Sequence, residues 1–191
     1  MTVDRSGACE PNQQPSEDEN SPQKVGSPPV RIAPATADDI DPIADLWVAL
    51  AKSQRTFGSQ LRAAENRETV RDWVARGVVT GELLVAKAEE LGTEGPIVGF
   101  VGFSLDHGSL DWDQTRGTVD NLYVVPARRG EGIGSALLVA AEAALREAGA
   151  ASVALEAMAA NEQAQTFYQD HDYDQHRVVF HKSLDDDQPP E

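Results

Sequence analysis

Apolar residues recur every three or four positions in four parts of the chain, which is the spacing of an amphipathic helix. The first predicted helix has its apolar side at Ile40, Ile43, Leu46, Trp47 and Leu50, and the others cover 64–76, 132–148 and 161–170. The third carries the strongest pattern, and Gly149 is a typical residue to end it.

Short apolar or alternating runs predict six strands around these helices. They cover 30–35, 82–89, 96–105, 117–126, 152–158 and 176–184. A turn containing glycine joins the second and third, so we expect them to form a hairpin. The order β-α-α-β-β-β-α-β-α-β predicts a mixed α/β domain. Its central sheet should have six to seven strands, with about four helices and a crossover around the third.

The composition of the two ends sets the limits of this domain. Residues 1–29 are polar and rich in proline, so we predict a disordered N-terminal tail, and 185–191 read as an acidic tail. The folded domain is then 30–184.

Cys9 is the only cysteine, which excludes an internal disulfide and a cysteine zinc site. The N-terminus has no apolar signal-like stretch, and we expect a cytoplasmic protein.

The net charge of −16, from 32 acidic against 16 basic residues, limits the partners. Such a field repels nucleic acid and anionic membranes and favours a cationic partner such as an amine or a basic peptide. An acidic composition with few lysines is also typical of proteins from a salt-rich cytoplasm, and solubility there, in a halophilic, acidic proteome, is the favoured interpretation of the charge.

The segment PARRGEGIG at 126–134 combines two arginines with glycines at every second position. It follows a predicted strand and opens the third helix. Glycines allow a ligand close to the backbone, and the free N–H groups at a helix start bind phosphate oxygens. Arg128 and Arg129 add charge suited to phosphate. The segment does not match the dinucleotide-binding motif Gly-x-Gly-x-x-Gly, because position 135 is serine. It also lacks the lysine of the Walker phosphate-binding loop. We therefore expect a site for another phosphorylated ligand.

Two motifs resemble the GNAT superfamily of N-acetyltransferases. Arg129-Gly130-Glu131-Gly132-Ile133-Gly134 is similar to the acyl-CoA-binding motif of that family. Downstream, the segment from Asn161 to Tyr168 is similar to its second motif, with Ala164 and Phe167 in place. The resemblance covers about 30–184 and agrees with the predicted order of elements. It implies acetyl transfer from acetyl-CoA, as a co-substrate and with no metal, to an amine of a small molecule or protein.

The resemblance also implies how the cofactor is held. The backbone at 122–124 would pair with the pantetheine arm and the thioester carbonyl, 129–135 would hold the pyrophosphate, and Asn161 would contact the cofactor. The predicted cofactor-binding residues are Leu122, Tyr123, Val124, Arg128, Arg129, Gly130, Glu131, Gly132, Ile133, Gly134, Ser135 and Asn161. A non-catalytic acyl-CoA sensor would share these residues and is the alternative function; transfer of a longer acyl group is a third. The acceptor and the oligomeric state, including a homodimer, stay open.

Three residues are candidates for the chemistry. Glu156 in the strand 152–158 is the favoured general base, because a carboxylate in an apolar strand is costly to bury without a role. Asp120 is the second candidate, and water or substrate alone is the third. Tyr168 is the candidate acid that protonates the leaving thiolate. The chain departs from the family at Asp172-Tyr173, where Gly-Phe is usual, so the turn there and any acceptor contacts are not carried over.

Overall fold

The computed structural model describes residues 29–90, 93–106 and 113–184. Within them lie five strands and four helices. The strands are β1 (Val30–Pro34), β2 (Leu83–Glu90), β3 (Thr93–Leu105), β4 (Arg116–Val124) and β5 (Ser152–Leu155). The helices are α1 (Ile40–Gln54), α2 (Arg67–Thr80), α3 (Ile133–Glu147) and α4 (Glu162–Gln169). The predicted tails at 1–28 and 185–191 fall outside the described residues.

The five strands form one sheet in the order β1-β2-β3-β4-β5. Strands β1 to β4 pair with one another in antiparallel fashion, and β5 runs parallel to β4. A parallel pair needs a crossover connection, and α3 supplies it. The predicted mixed α/β class and the four helices are therefore confirmed.

Each face of the sheet buries one apolar cluster. On one face α3 packs its buried side against β2, β3 and β4, with Leu137, Leu138 and Ala141 fully buried. On the other face α1 and α2 cover the sheet, with Ile43 and Val74 fully buried. The apolar periodicities of the sequence therefore describe the real core faces. The sheet is the middle of three layers.

The predicted strand at 176–184 is wrong: these residues belong to no strand, so the sheet has five strands among the described residues and not six or seven. Alternating apolar residues measure the tendency to form a strand, but a strand forms only where its backbone pairs with a neighbour, and 176–184 does not pair with any of the five described strands. The strand predicted at 152–158 is shorter than expected and ends at Leu155. The second helix runs on to Thr80, where Gly81 ends it in a left-handed conformation.

A buried ion pair joins the start of the first helical segment to the sheet. The Asp39 carboxylate accepts hydrogen bonds from the Thr36 backbone N–H (2.8 Å) and hydroxyl (2.9 Å). Lys87 Nζ of β2 lies 3.0 Å from Asp39, and the two side chains are only 11% and 7% exposed. Burial would raise the pKa of Asp39, but the bonds from Thr36 and Lys87 outweigh it and lower that pKa. Burial would likewise lower the pKa of Lys87, but Asp39 and Glu94 outweigh it and raise that pKa.

Removing the lysine should leave a buried carboxylate unpaired. We expect Lys87→Met to lower the free energy of unfolding by about 3 kcal/mol at pH 7 in urea titrations. Because the folded-state pKa of Asp39 is lowered, the stabilisation is present above about pH 4 and is lost as the pH falls further. The difference between the variant and the wild type should therefore shrink in acid.

The exposed pair Arg67–Asp45 is the matched control, since the Asp45 side chain is 66% exposed. Asp45→Asn should change the free energy of unfolding by less than about 1 kcal/mol. Equal losses for Lys87→Met and Asp45→Asn would show that the buried pair has no special role in stability.

Candidate active site

Strand β4 separates from β5 halfway along its length. The two strands are paired only from Arg116↔Ser152 to Val119↔Leu155. Beyond that point β4 stays paired with β3 on its other side, up to Gly99↔Val124. The edge of 120–124 that faces away from β3 is therefore open over the residues that the structure describes.

The direction of the peptide groups along this open edge follows from one hydrogen bond. The N–H of Val125 donates to Val98 O at 2.9 Å, toward β3. Because peptide groups alternate along a strand, those of Leu122 and Val124 face away from β3. A ligand with its own carbonyl and amide groups can pair with this edge as an added half-strand.

A β-bulge lies where the two strands separate. The register changes between Gly102↔Asn121 and Phe103↔Val119, so Asp120 is an extra residue on β4. As a result Asp120 and Asn121 both turn toward the face covered by α1 and α2. Asp120 accepts a hydrogen bond from Ser104 Oγ at 3.2 Å. Asn121 Oδ1 accepts one from Trp47 Nε1 of α1 at 3.2 Å.

The Asp120 carboxylate is electrostatically unusual. Part of the side chain stays open to solvent, but the surrounding protein removes enough water to raise the pKa of Asp120. The charge of Glu82 raises it further, while the hydrogen bond from Ser104 acts in the opposite direction. A carboxylate with a raised pKa beside an open strand edge is suited to accept a proton near neutral pH.

The glycine loop turns sharply before α3. Gly130 and Gly132 have φ of +78° and +79°, a left-handed conformation that other residues adopt at a cost. The first helical hydrogen bond is Ala136 N–H to Gly132 O at 3.0 Å. The amides of the first helical turn, at 133–135, therefore have no partner within the helix and point out of its N-terminus. They form the predicted anion-binding end of α3.

The two arginines of the loop lie on different sides of it. Arg129 Nε donates to Val124 O at 3.0 Å, and its guanidinium lies over the Tyr123 ring at 5.7 Å from the centroid. Arg129 is thus on the open edge of β4. Arg128 Nε instead pairs with Glu131 at 2.8 Å. It lines a cavity of about 440 Å³ between the loop and β1. The sequence predicted that both arginines bind phosphate together, but the structure places them on different sides of the loop with different partners.

Helix α4 closes the other side of the open edge. A Cβ added to Gly134 would lie 3.5 Å from the Phe167 ring and 3.9 Å from Val124. The start of α3, the end of β4 and α4 therefore meet here. Tyr168 packs edge-to-face on Phe167, with centroids 5.2 Å apart, and belongs to the core on the α3 face. Burial raises the pKa of Tyr168, so its hydroxyl is protonated at neutral pH.

Two other predicted residues have different surroundings from those expected. Glu156 follows the last residue of β5 and is exposed, so the cost of burial that favoured it as a base does not arise. Asn161 caps α4, and its Oδ1 accepts a hydrogen bond from the Ala164 N–H at 3.1 Å. Asn161 therefore has a structural role as a helix cap. Its predicted contact with the cofactor stays a prediction.

The turn after α4 fixes Tyr173 against α3, a contact that the sequence did not reveal. Asp172 has φ +63°, so aspartate adopts the left-handed conformation expected of the missing glycine. Tyr173 then packs on Tyr168 and donates its hydroxyl to Glu142 Oε1 of α3 at 2.9 Å. Burial and Glu142 raise the pKa of Tyr173 strongly. Glu142 lies on the polar side of a helix, which in a sequence is typical of a solvated residue.

The arrangement combines an open strand edge, a helix N-terminus, a carboxylate with a raised pKa and a protonated tyrosine. Asp120 reaches the edge from the α1–α2 face, and Tyr168 lies on the α3 face. A thioester attached to a phosphorylated arm matches these groups, because the edge can bind the arm and the helix start the phosphates.

The acetyltransferase (GNAT) family model matches residues 47–173, well over half of the chain. The chain belongs to this family. Members of this family use acetyl-CoA, and membership implies acyltransferase activity. The matched region contains the glycine loop, the open edge of β4 and Tyr168.

Solved structures agree with this assignment. The GCN5-related N-acetyltransferase from Ralstonia eutropha JMP134 is 25% identical, with 82% of this chain and 100% of that chain covered and a TM-score of 0.62. The aminoglycoside N-acetyltransferase AAC(6')-Iy in complex with CoA is 17% identical, with 84% and 98% covered and a TM-score of 0.61. The NatC complex bound to Gag peptide and CoA is 18% identical, with 74% and 82% covered and a TM-score of 0.56. The last two share the fold.

A search among curated proteins finds no significant match. Over the described ranges, no helix has both the length and the apolar character required to span a bilayer. In the same ranges, no three His, Cys, Asp or Glu side chains are grouped to hold a metal ion.

The loop geometry predicts different effects at two neighbouring glycines. Gly132→Ala should lower the free energy of unfolding by about 1 kcal/mol, because alanine is strained at φ +79°. Gly134→Ala should not destabilise the protein, because the site is helical and its nearest neighbour would be at an ordinary 3.5 Å. Urea unfolding of both variants tests this. A larger loss for Gly134→Ala than for Gly132→Ala would contradict the described loop.

Proposed function

We propose that the protein is an N-acetyltransferase that moves the acetyl group of acetyl-CoA to an amine by direct attack. The observation that carries the proposal is the open edge of β4 directly beside the N-terminus of α3. The family membership supports the cofactor, and Asp120 and Tyr168 near this edge support turnover. The alternative, a non-catalytic acyl-CoA sensor, would require neither side chain.

The residues present fit the cofactor. The peptide groups of Leu122 would bind the pantetheine arm, the N–H of Val124 would face the thioester carbonyl, and the amides at 133–135 would bind the pyrophosphate. Arg129 would add positive charge on the same side, whereas Arg128, paired with Glu131, would shape the loop. When bound, acetyl-CoA supplies a thioester and a thiol leaving group. The N–H of Val124 would stabilise negative charge on a carbonyl oxygen at the edge.

We propose Asp120 as the general base. An alkyl ammonium has a pKa of about 10.4 and must lose a proton before it can attack. The Asp120 carboxylate lies at the separation of β4 from β5, and its raised pKa makes it a better acceptor than an ordinary carboxylate. Glu156 remains the second candidate, since it directly follows β5 on the other side of the gap.

Tyr168 would hold the proton that the thiolate needs. Its hydroxyl carries a proton at neutral pH, as a tyrosine hydroxyl ordinarily does, and its ring packs against Phe167 and Tyr173. A fixed donor loses little entropy when it acts, which suits a general acid. Its position on α4, across the edge from Asp120, separates the acid from the base.

The amine would approach from the face covered by α1 and α2, where Asp120, Asn121 and Trp47 meet. An overall charge of −16 favours a cationic acceptor. Among the structural neighbours, one acetylates aminoglycosides and another was solved with a peptide, so both small amines and protein amino groups are suitable classes to test.

The direct test is a screen of amines with acetyl-CoA, read as release of free thiol, in dilute and in molar salt. We expect thiol release that depends on the amine, and we expect Tyr168→Phe to lower kcat more than tenfold with little change in KM. Tyr173→Phe is the control: it removes a partly buried hydroxyl bonded to Glu142, so it should cost stability but leave kcat nearly unchanged. Tight binding of acetyl-CoA without turnover on any amine would support the sensor instead.

The pH dependence separates the two candidate bases. Because the pKa of Asp120 is raised, the wild-type kcat should fall as the pH drops toward that pKa and the carboxylate becomes protonated. Asp120→Asn should lower kcat at least tenfold and remove this acid limb, whereas Glu156→Gln should keep it. The pH–rate profiles of the three proteins are the measurement. The opposite pattern would assign the base to Glu156.

A further inference from the structure

The side-chain amide of Asn121 lies beside the proposed base and plays no part in the mechanism described above. Asn121 is half-buried, and its Oδ1 accepts the hydrogen bond from Trp47 Nε1 at 3.2 Å. Its Nδ2 group has no hydrogen-bond partner among the residues that the structure describes, and it is not buried among them. The two N–H donors of Nδ2 can therefore bind a ligand.

Trp47 determines which atom of the Asn121 amide faces a ligand. An indole N–H donates and cannot accept, so the atom of Asn121 that faces it is the oxygen. Trp47 packs against the core cluster on the α1–α2 face, which holds its ring in place. Because Oδ1 and Nδ2 lie on opposite sides of the planar amide, Nδ2 is turned away from the indole. Asn121 thus offers donors only.

Asp120 offers the complementary group one residue earlier. The β-bulge turns both residues to the same face, where their Cα atoms are about 3.8 Å apart. Ser104 Oγ donates to Oδ2 of Asp120, and the side chain is exposed, so the carboxylate can accept further hydrogen bonds. A hydrogen-bond acceptor and two donors therefore lie side by side at the open edge of β4.

We propose that Asn121 selects acceptors whose amine is next to a neutral carbonyl group, as in an amino acid amide or a peptide N-terminus. The amine would bind Asp120, and the carbonyl oxygen would accept a hydrogen bond from Asn121 Nδ2. The nitrogen and the oxygen of such a compound are about 3 Å apart, close to the spacing of the two residues. This inference rests on the proposed acetyl transfer and specifies its acceptor.

The basicity of the amine favours the same class of acceptor. An amine next to a carbonyl has an ordinary pKa of about 8, against about 10.4 for an alkyl amine. At pH 7 its neutral fraction is therefore roughly 200-fold larger. A carboxylate is a weak base, so Asp120 removes a proton more readily from the less basic amine.

The surrounding charges favour a neutral carbonyl over a carboxylate. The charge of Glu82 acts on Asp120 and contributes to its raised pKa, and the whole chain has a net charge of −16. The carboxylate of a free amino acid would lie beside these acidic groups and be repelled by them. An amide carbonyl has no charge and accepts from Asn121 without this penalty.

A comparison of four small amines tests the inference on the wild type. Thiol release from acetyl-CoA is measured with glycinamide, glycine, ethanolamine and propylamine, and kcat/KM is expressed per concentration of neutral amine, so that differences in amine pKa do not enter. We expect glycinamide to exceed each of the others more than tenfold. Similar values for all four, or a preference for another amine, would overturn the inference and leave acetyl transfer intact.

The same assay distinguishes the two sources of an α-amino carbonyl group. A longer peptide amide that begins with glycine is compared with glycinamide. A larger kcat/KM for the peptide would indicate a peptide N-terminus, and a smaller one would indicate a small amino acid amide. Both results support the shared chemistry at Asn121.

Asn121→Asp is the decisive variant. It keeps the shape of the side chain and an oxygen for Trp47, but it replaces the N–H donors by a second oxygen. The ratio of kcat/KM for glycinamide to that for propylamine should fall more than tenfold, mainly through a higher KM for glycinamide. An unchanged ratio would contradict the proposal.

Asn66→Asp is the matched control, since it makes the same change outside the proposed site. Asn66 lies at the start of α2, where its Nδ2 donates to Arg62 O at 2.7 Å. The ratio should stay as in the wild type. An equal fall in Asn66→Asp and Asn121→Asp would show that added negative charge, and not the lost donors, changes the preference.

NMR of the wild type with CoA bound covers the case in which Asn121→Asp does not fold, and it requires no turnover. Glycinamide should shift the side-chain amide signals of Asn121, and propylamine should not. The absence of a shift that is specific to glycinamide would overturn the inference. By contrast, a lack of turnover on any amine would overturn the proposed function, so the two failures are distinguishable.

Discussion

The separation of β4 from β5 after Val119 is the constraint on which the rest of the site depends. Strand pairing normally satisfies the polar groups of a backbone, and in the part of the chain that the structure describes the outer groups of 120–124 have no strand partner. The β-bulge at Asp120 lies where the two strands separate, and the glycine loop follows the end of β4. Gly134 at the start of α3 lies near Phe167 of α4, beside Val124 at the end of β4. The chemistry that we propose uses backbone groups left open by the fold.

Much of the fold is predictable from the sequence because local spacing determines it. The apolar faces of α1, α3 and α4 and the first four strands follow from periods of 3.6 and 2.0. The glycine loop is also identifiable, because glycines at every second position directly before a strong helix are typical of a backbone that approaches a ligand closely. The left-handed conformation of Asp172 is foreseeable in part, because aspartate tolerates positive φ better than most residues.

The remaining features depend on contacts between distant residues. The bulge that turns Asp120 and Asn121 to one face arises from the register with β3, which no local pattern encodes. The length of β5 decides that Glu156 is exposed, and the sequence pattern extended that strand by three residues. The segment 176–184 shows the same limit: its residues favour a strand, but pairing depends on where an edge is available. Likewise, no local sequence pattern distinguishes the role of Arg128 from that of Arg129.

The position of Arg129 has a consequence for the protein without its cofactor. An open strand edge is a template on which the strand of another molecule can add, and repeated addition leads to aggregation. Arg129 lies across this edge and occupies the carbonyl of Val124. A charged side chain there discourages a second backbone from pairing along β4 while the gap is empty. Arg129, which would attract an anionic cofactor, therefore also opposes self-association along this edge.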